Sequence, residues 1–211
     1  MRKQLHLLLF VFLASITSMQ AQTYPTTEWS DLADTSWFDA DLDEFSITTP
    51  EALAGLAELV NEGNTFEGKT ITIDEAIDLD GNLWTPIGDA IAIPFSGTVE
   101  GNENTISNLW IDLPSQSVAG LFGQVTGGTL SDITIDTSNI VAADTAGTLV
   151  GNISTGSSID NCHAKNVDVS SIGENTGGLV GGLLTDSSIA NSSSSGDVVG
   201  VNQIGGLAGT V

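Results

Sequence analysis

The strongest constraint on this chain is an internal repeat. Ala119-Gly120-Leu121-Phe122-Gly123 returns as Gly147-Thr148-Leu149-Val150-Gly151, as Gly177-Gly178-Leu179-Val180-Gly181 and as Gly205-Gly206-Leu207-Ala208-Gly209, with closing glycines 28, 30 and 28 residues apart. Two residues after each closing glycine stands an aliphatic side chain: Val125, Ile153, Leu183 and Val211. A second aliphatic follows the first three copies at Leu130, Ile159 and Ile189, and two residues later come Asp132, Asn161 and Asn191. Correlated columns at one period mean that each repeat is a unit that buries its apolar face only by stacking on its neighbours. The pieces between the glycines are short and alternating, as in Thr70-Ile71-Thr72-Ile73, Leu109-Trp110-Ile111, Ile133-Thr134-Ile135 and Val167-Asp168-Val169, which is strand patterning. The expectation is an all-β parallel solenoid. Its inward aliphatics form ladders, its glycines sit at corners, and its Asn and Asp bond backbone at turns. Roughly five coils at ~4.8 Å each give a body about 25 Å long.

A solenoid leaves open sheet edges at both ends, which must be covered. Residues 49–62 supply one cover. Thr49 suits an N-cap, Pro50 the first helical position and Glu51 the first turn, while Leu53, Leu56, Ala57 and Val60 make one apolar face and Gly63 stops the helix. Val211 falls in an aliphatic column, so the last coil is expected to be incomplete. That predicts either a longer repeat protein or self-association through the open C-terminal coil. The expected organisation is a signal peptide over 1–21, an acidic leader over 22–44, a capping segment with the helix over 45–64, and the repeat body over 65–211.

The signal rests on Met1-Arg2-Lys3, the apolar run Leu7 to Ala14 and Ser18-Met19-Gln20-Ala21 before Gln22. The run is too short to span a bilayer, and no later segment holds the ~20 apolar residues a span needs, so no membrane insertion is expected once the signal is removed. The chain carries 27 Asp and Glu against 4 Lys and Arg. Without the signal only Lys69 and Lys165 remain as cations, the net charge is −25 and there is no arginine. That excludes a nucleic-acid binder, argues against anionic lipid and removes the usual carboxylate and phosphate clamp. With 40% apolar residues the acidity does not imply disorder. Cys162 is the only cysteine, so no internal disulfide forms, and a buried apolar role is expected for it. Trp29, Trp37 and Phe38 lie among the acids of the leader and read as an anchor onto the body, with a sugar-stacking patch as the alternative.

Residues 45–211 resemble secreted and surface proteins of bacteria that carry GLUG motifs. Gly120-Leu121-Phe122-Gly123, Gly178-Leu179-Val180-Gly181 and Gly206-Leu207-Ala208-Gly209 match the motif, and the copy at Gly147–Gly151 departs from it through Thr148. The upstream runs Thr65-Phe66-Glu67-Gly68-Lys69-Thr70-Ile71, Ile77-Asp78-Leu79-Asp80, Trp84-Thr85-Pro86-Ile87-Gly88 and Phe95-Ser96-Gly97-Thr98-Val99-Glu100-Gly101 fit the same group. The resemblance implies a right-handed parallel β-helix in an exported or cell-surface protein, a setting shared with adhesins. Similar motifs also lie in non-catalytic regions of immunoglobulin A1-specific metallopeptidases.

No residue pattern commits the chain to catalysis. A zinc-peptidase helix needs two histidines, and beyond the signal there is only His163. A Ser-His-Asp arrangement around His163 is formally open, but Cys162-His163 occupies the column of Ile133-Thr134 and Ser192-Ser193. A polysaccharide lyase would have Lys69 or Lys165 as its base. A hydrolase would need facing carboxylates from Asp132, Asp160, Asp168 or Asp186. Asp78-Leu79-Asp80-Gly81-Asn82 resembles a calcium loop without its later ligands. Asp78 and Asp80 are therefore the candidate metal ligands, with a tight turn as the alternative and weak calcium binding by the acidic surface as the expectation. Thr70, Thr72 and Thr134 do not form a repeated Thr-x-Thr column of the kind that binds ice. The expected function is a non-catalytic adhesion or stalk module that binds a glycan or a surface protein. The alternatives are a carbohydrate-active β-helix, or a repeat region of a larger secreted enzyme.

Overall fold

The computed structural model describes residues 25–90 and 92–211, so the expected signal segment lies outside the described residues. A 3-10 turn at Trp29–Leu32 precedes β1 (Glu44–Ile47), α1 (Pro50–Asn61), β2 (Thr70–Ile73) and β3 (Ile77–Asp78). Four coils of four strands follow. The first is β4 (Thr98–Glu100), β5 (Thr105–Leu113), β6 (Val118–Ala119) and β7 (Phe122–Thr126). The second is β8 (Thr129–Ser131), β9 (Thr134–Ala142), β10 (Thr145–Ala146) and β11 (Val150–Ser154). The third is β12 (Ser158–Asp160), β13 (His163–Ser171), β14 (Thr176–Gly177) and β15 (Val180–Leu183), and the fourth is β16 (Ser188–Ala190), β17 (Ser193–Val199), β18 (Ile204–Gly205) and β19 (Ala208–Thr210). Each strand pairs in parallel with its counterpart in the next coil, giving stacks β1-β2-β4-β8-β12-β16, β3-β5-β9-β13-β17, β6-β10-β14-β18 and β7-β11-β15-β19. This is a parallel β-helix of about six turns.

The sequence columns are physical ladders. Phe45, Ile71, Val99, Leu130, Ile159 and Ile189 are successive register partners. So are Phe122, Val150, Val180 and Ala208. Each fully buried aliphatic contributes about 1.5–3 kcal/mol, and most of these are buried.

The repeat glycines are needed for approach between coils. A Cβ on Gly123 would lie 2.5 Å from the Gly88 carbonyl oxygen, and one on Gly151, Gly181 or Gly209 would lie 2.8, 2.7 or 2.6 Å from the glycine carbonyl of the coil before. Positive φ falls elsewhere. It marks Asp132, Asn161 and Asn191 at one corner, and Asn108, Thr137 and Asn166 where the long strands β5, β9 and β13 bend. Asn tolerates that region because its short side chain bonds locally. Here the amides reach back one coil, from Asn161 to Asp132 (2.7 Å), Asn108 to Asp78 (2.8 Å) and Asn166 to Asp136 (2.8 Å).

The N-terminal end is closed. Thr49 Oγ1 accepts from the Ala52 N–H (3.2 Å), and the helix ends with the Gly63 N–H bound to Val60 O and the Asn64 N–H to Leu59 O, the paired bonds of a glycine stop. The buried helix face includes Leu53, Leu56, Ala57 and Val60. The leader lies on it so closely that a Cβ on Gly55 would come 2.1 Å from Asp34 O. Trp37 and Phe38 pack with Phe45 and Phe66, and the ring contacts continue through Phe95 to Phe122. Lys69 Nζ donates to Ala40 O and Leu42 O and lies 3.5 Å from Asp43, holding the leader to the body. The helix does not precede the first strand. Phe45 and Ile47 alternate with Glu44 and Ser46 and pair with β2, so the first rung lies ahead of the cap.

Candidate functional site

The longest outward surface is that of β5, β9, β13 and β17. Leu109 and Ile111 point into the core, so the half-buried Trp110 between them faces out. Its register partners up the stack are Asn139, Asp168 and Asp197. The column holds one half-buried indole, one buried amide and two exposed carboxylates, with Asn139 Nδ2 donating to Asp168 Oδ2 (3.4 Å). An aromatic face beside regularly spaced hydrogen-bonding groups suits hydroxyl-rich or peptide ligands. Trp110 reads in the sequence only as part of a short strand, because its neighbours come from residues about 29 and 58 positions later in a stacked sheet.

A second polar group sits at the corner before the long strands. Asn161 Nδ2 donates to Asp132 Oδ1, Asn161 Oδ1 lies 3.2 Å from His163 Nε2, and His163 Nδ1 lies 2.9 Å from Ser193 Oγ. The connectivity is that of a nucleophile, base and orienting amide. The residues are, however, brought together by the stack itself, since Thr134, His163 and Ser193 are direct register partners. The adjoining cavity of about 270 Å³ is lined by Glu103, Asp132, Thr134, Asn161 and His163. It offers carboxylates and neither lysine nor arginine to a developing oxyanion. Of the acids expected for a hydrolase, Asp132, Asp160 and Asp168 each accept an amide from Asn161, Asn191 and Asn139, and Asp186 sits in a turn at φ 57°. Lys69 is engaged by the leader.

Asp78 and Asp80 lie at one turn. Asp78 Oδ1 accepts from Asn108 Nδ2 (2.8 Å) and from the Asp80 N–H (3.1 Å), with Gly81 following at φ 90°. The Asn108 amide holds the Asp78 carboxyl below its ordinary value; slight burial opposes this, and the Asp80 N–H and Ser107 hydroxyl assist it. Among the described residues no group of three or more His, Cys, Asp or Glu side chains is placed to hold a metal ion.

Cys162 is buried against Asp160 O (3.4 Å), and burial pushes its thiol up to about 12. A thiol kept neutral is inert. Thr70, Thr98, Thr129, Ser158 and Ser188 form one hydroxyl column on the first stack, a feature visible only with the register in hand; the next outward column, Thr72, Glu100, Ser131, Asp160 and Ala190, does not repeat it. Among the described residues no helix is long and apolar enough to cross a membrane.

Over 117 residues, 54% of this chain, the sequence is 34% identical to halomucin of Haloquadratum walsbyi; the chain spans about 1% of that protein's length. That relative is archaeal, so the bacterial setting implied by the resemblance gains no support from it. No solved structure matches the chain. Residues 172–199 match the GLUG motif family, across the bend where Gly178-Leu179-Val180-Gly181 turns into β15. The chain is a β-helix repeat protein that carries the GLUG motif.

Proposed function

We propose that this protein is a non-catalytic, exported or surface-borne β-helix module that binds a glycan or a surface protein along the outer face of β5, β9, β13 and β17. The observation that carries the reading is the in-register column Trp110, Asn139, Asp168 and Asp197 on a broad parallel sheet. The GLUG motif and the similarity to halomucin support the surface setting. Each contact is weak, and several coils engaging one polymer give avidity.

The test is binding of the exported chain to a polysaccharide and glycoprotein panel. Trp110→Ala should weaken the best ligand by about tenfold or more, as for a central aromatic anchor, with the β-helix still folded by circular dichroism. Equal binding by the variant removes the proposed face. Release of reducing ends or unsaturated sugar, lost in Asp168→Asn, replaces the reading with a carbohydrate-active one.

The acidic exterior also belongs to this proposal as a weak, millimolar calcium surface. At constant ionic strength, about 10 mM calcium should raise the melting temperature; an unmoved melt removes calcium from the picture.

A further inference from the structure

A cavity of about 280 Å³ opens between α1, the leader and the segment before β4. Trp29, Trp84, Ala54 and Ala57 give it an apolar floor. Both indole N–H groups are already bound inside the body, Trp29 Nε1 to Leu79 O (3.1 Å) and Trp84 Nε1 to Leu121 O (3.0 Å). Asn61 in the wall is engaged at both ends: Nδ2 donates to Pro86 O, and Oδ1 accepts from the Gly88 and Asp89 N–H groups. The ionisable groups left to a ligand are Glu58, Glu62 and Asp89, which only accept hydrogen bonds when ionised.

Among the described residues the cations are Lys69 and Lys165, and neither lines this cavity. Asp89 is half-buried there, and burial pushes its carboxyl above the ordinary value. A carboxylate taken partly out of water and left without a cation is a standing cost.

We propose that this cavity binds an organic ammonium ion, a cationic head on a small apolar body. Its carbon would cover the Trp–Ala floor and its charge would sit among Glu58, Glu62 and Asp89. An anion meets three carboxylates with only the Ser30 and Thr85 hydroxyls to set against them, and a neutral apolar ligand leaves Asp89 desolvated without a cation. A bare metal ion gains nothing from the floor. A free quaternary amine and a lysine side chain both present a positive charge on apolar carbon, and they differ in that only the lysine donates N–H hydrogen bonds.

The test is titration of the exported chain with choline, with Nα-acetyl-lysine amide and with 3,3-dimethylbutan-1-ol, choline's neutral isostere. Binding is followed by the indole N–H resonances of Trp29 and Trp84. Saturable shifts with choline, with the lysine amide or with both, but not with the alcohol, are expected, and the stronger cation identifies the source. Glu58→Gln and Asp89→Asn should each weaken binding by about tenfold with a melt at or above that of the parent, since Asn61 holds the Asp89 backbone rather than its carboxylate and each change removes an unpaired charge. Equal shifts with the alcohol, cation binding that survives both substitutions, or no saturable shift with either cation overturns the proposal.

Discussion

Thr137 is out of place at the bend of β9. It sits at φ 66°, where the bends of β5 and β13 have Asn108 and Asn166, and a β-branched side chain is poorly suited to the left-handed region. Thr137→Asn should stabilise the protein by about 1 kcal/mol, read as a higher denaturation midpoint; a lower midpoint means that the bend is not strained. Asn166→Ala tests the same site type from the other side. It should lose about 1–2 kcal/mol, and Asn166→Gly should lose less because it keeps the backbone freedom. Cys162 should resist thiol reagents at pH 8 until the chain unfolds. Burial pushes its folded thiol up to about 12 from an ordinary value near 9, so above about pH 9 the unfolded chain ionises while the native chain does not. Stability should therefore fall as pH rises from 9, and the fall should level off near 12. Prompt labelling of the native protein would contradict this burial. At this scale the sequence marks the Asn and Asp turn positions well. It does not show that their amides bind acids one coil back, because those partners lie about 30 residues away.

The helix was legible almost to the residue, since Thr49, Pro50 and Gly63 are local signals whose effect is local. Its packing was not. Gly55 reads as an unfavourable helix residue, and a methyl there ordinarily stabilises by about 1 kcal/mol. In this fold the Cβ would collide with Asp34 O, so Gly55→Ala should destabilise the protein and loosen the leader. A stabilised variant would show that the leader does not need that approach. The first rung β1 was also hidden, because Glu44-Phe45-Ser46-Ile47 is four residues long inside an acidic stretch and only its partner β2 makes it a strand. Leu179, by contrast, is an inner position in both sequence and structure and is fully buried. Leu179→Asp should cost more than about 4 kcal/mol and unfold the neighbouring coils, as followed by circular dichroism. A parent-like melt would invert the assignment of inside and outside.

At the scale of the whole molecule the charge is one-sided, with a formal net of −23 over the full sequence. Such a surface repels itself. Raising sodium chloride from about 0.01 to 1 M shortens the screening length from about 30 to 3 Å, so the melting temperature should climb over that range. A flat profile would mean that the acids are already spaced beyond one another's reach. The repeat made the architecture legible before any coordinate, because a solenoid translates sequence period directly into stacking. The outward columns were not legible, since they run across coils while the sequence runs along them. The parallel register has one further consequence. Every coil contributes one residue to each column and about 4.8 Å of height, so length and surface pattern are written independently. Duplicating a coil lengthens the rod without disturbing any existing letter, and exchanging Trp110, Asn139, Asp168 or Asp197 rewrites a letter without altering the length. The molecule is in that sense a graduated scale whose markings can be edited one at a time.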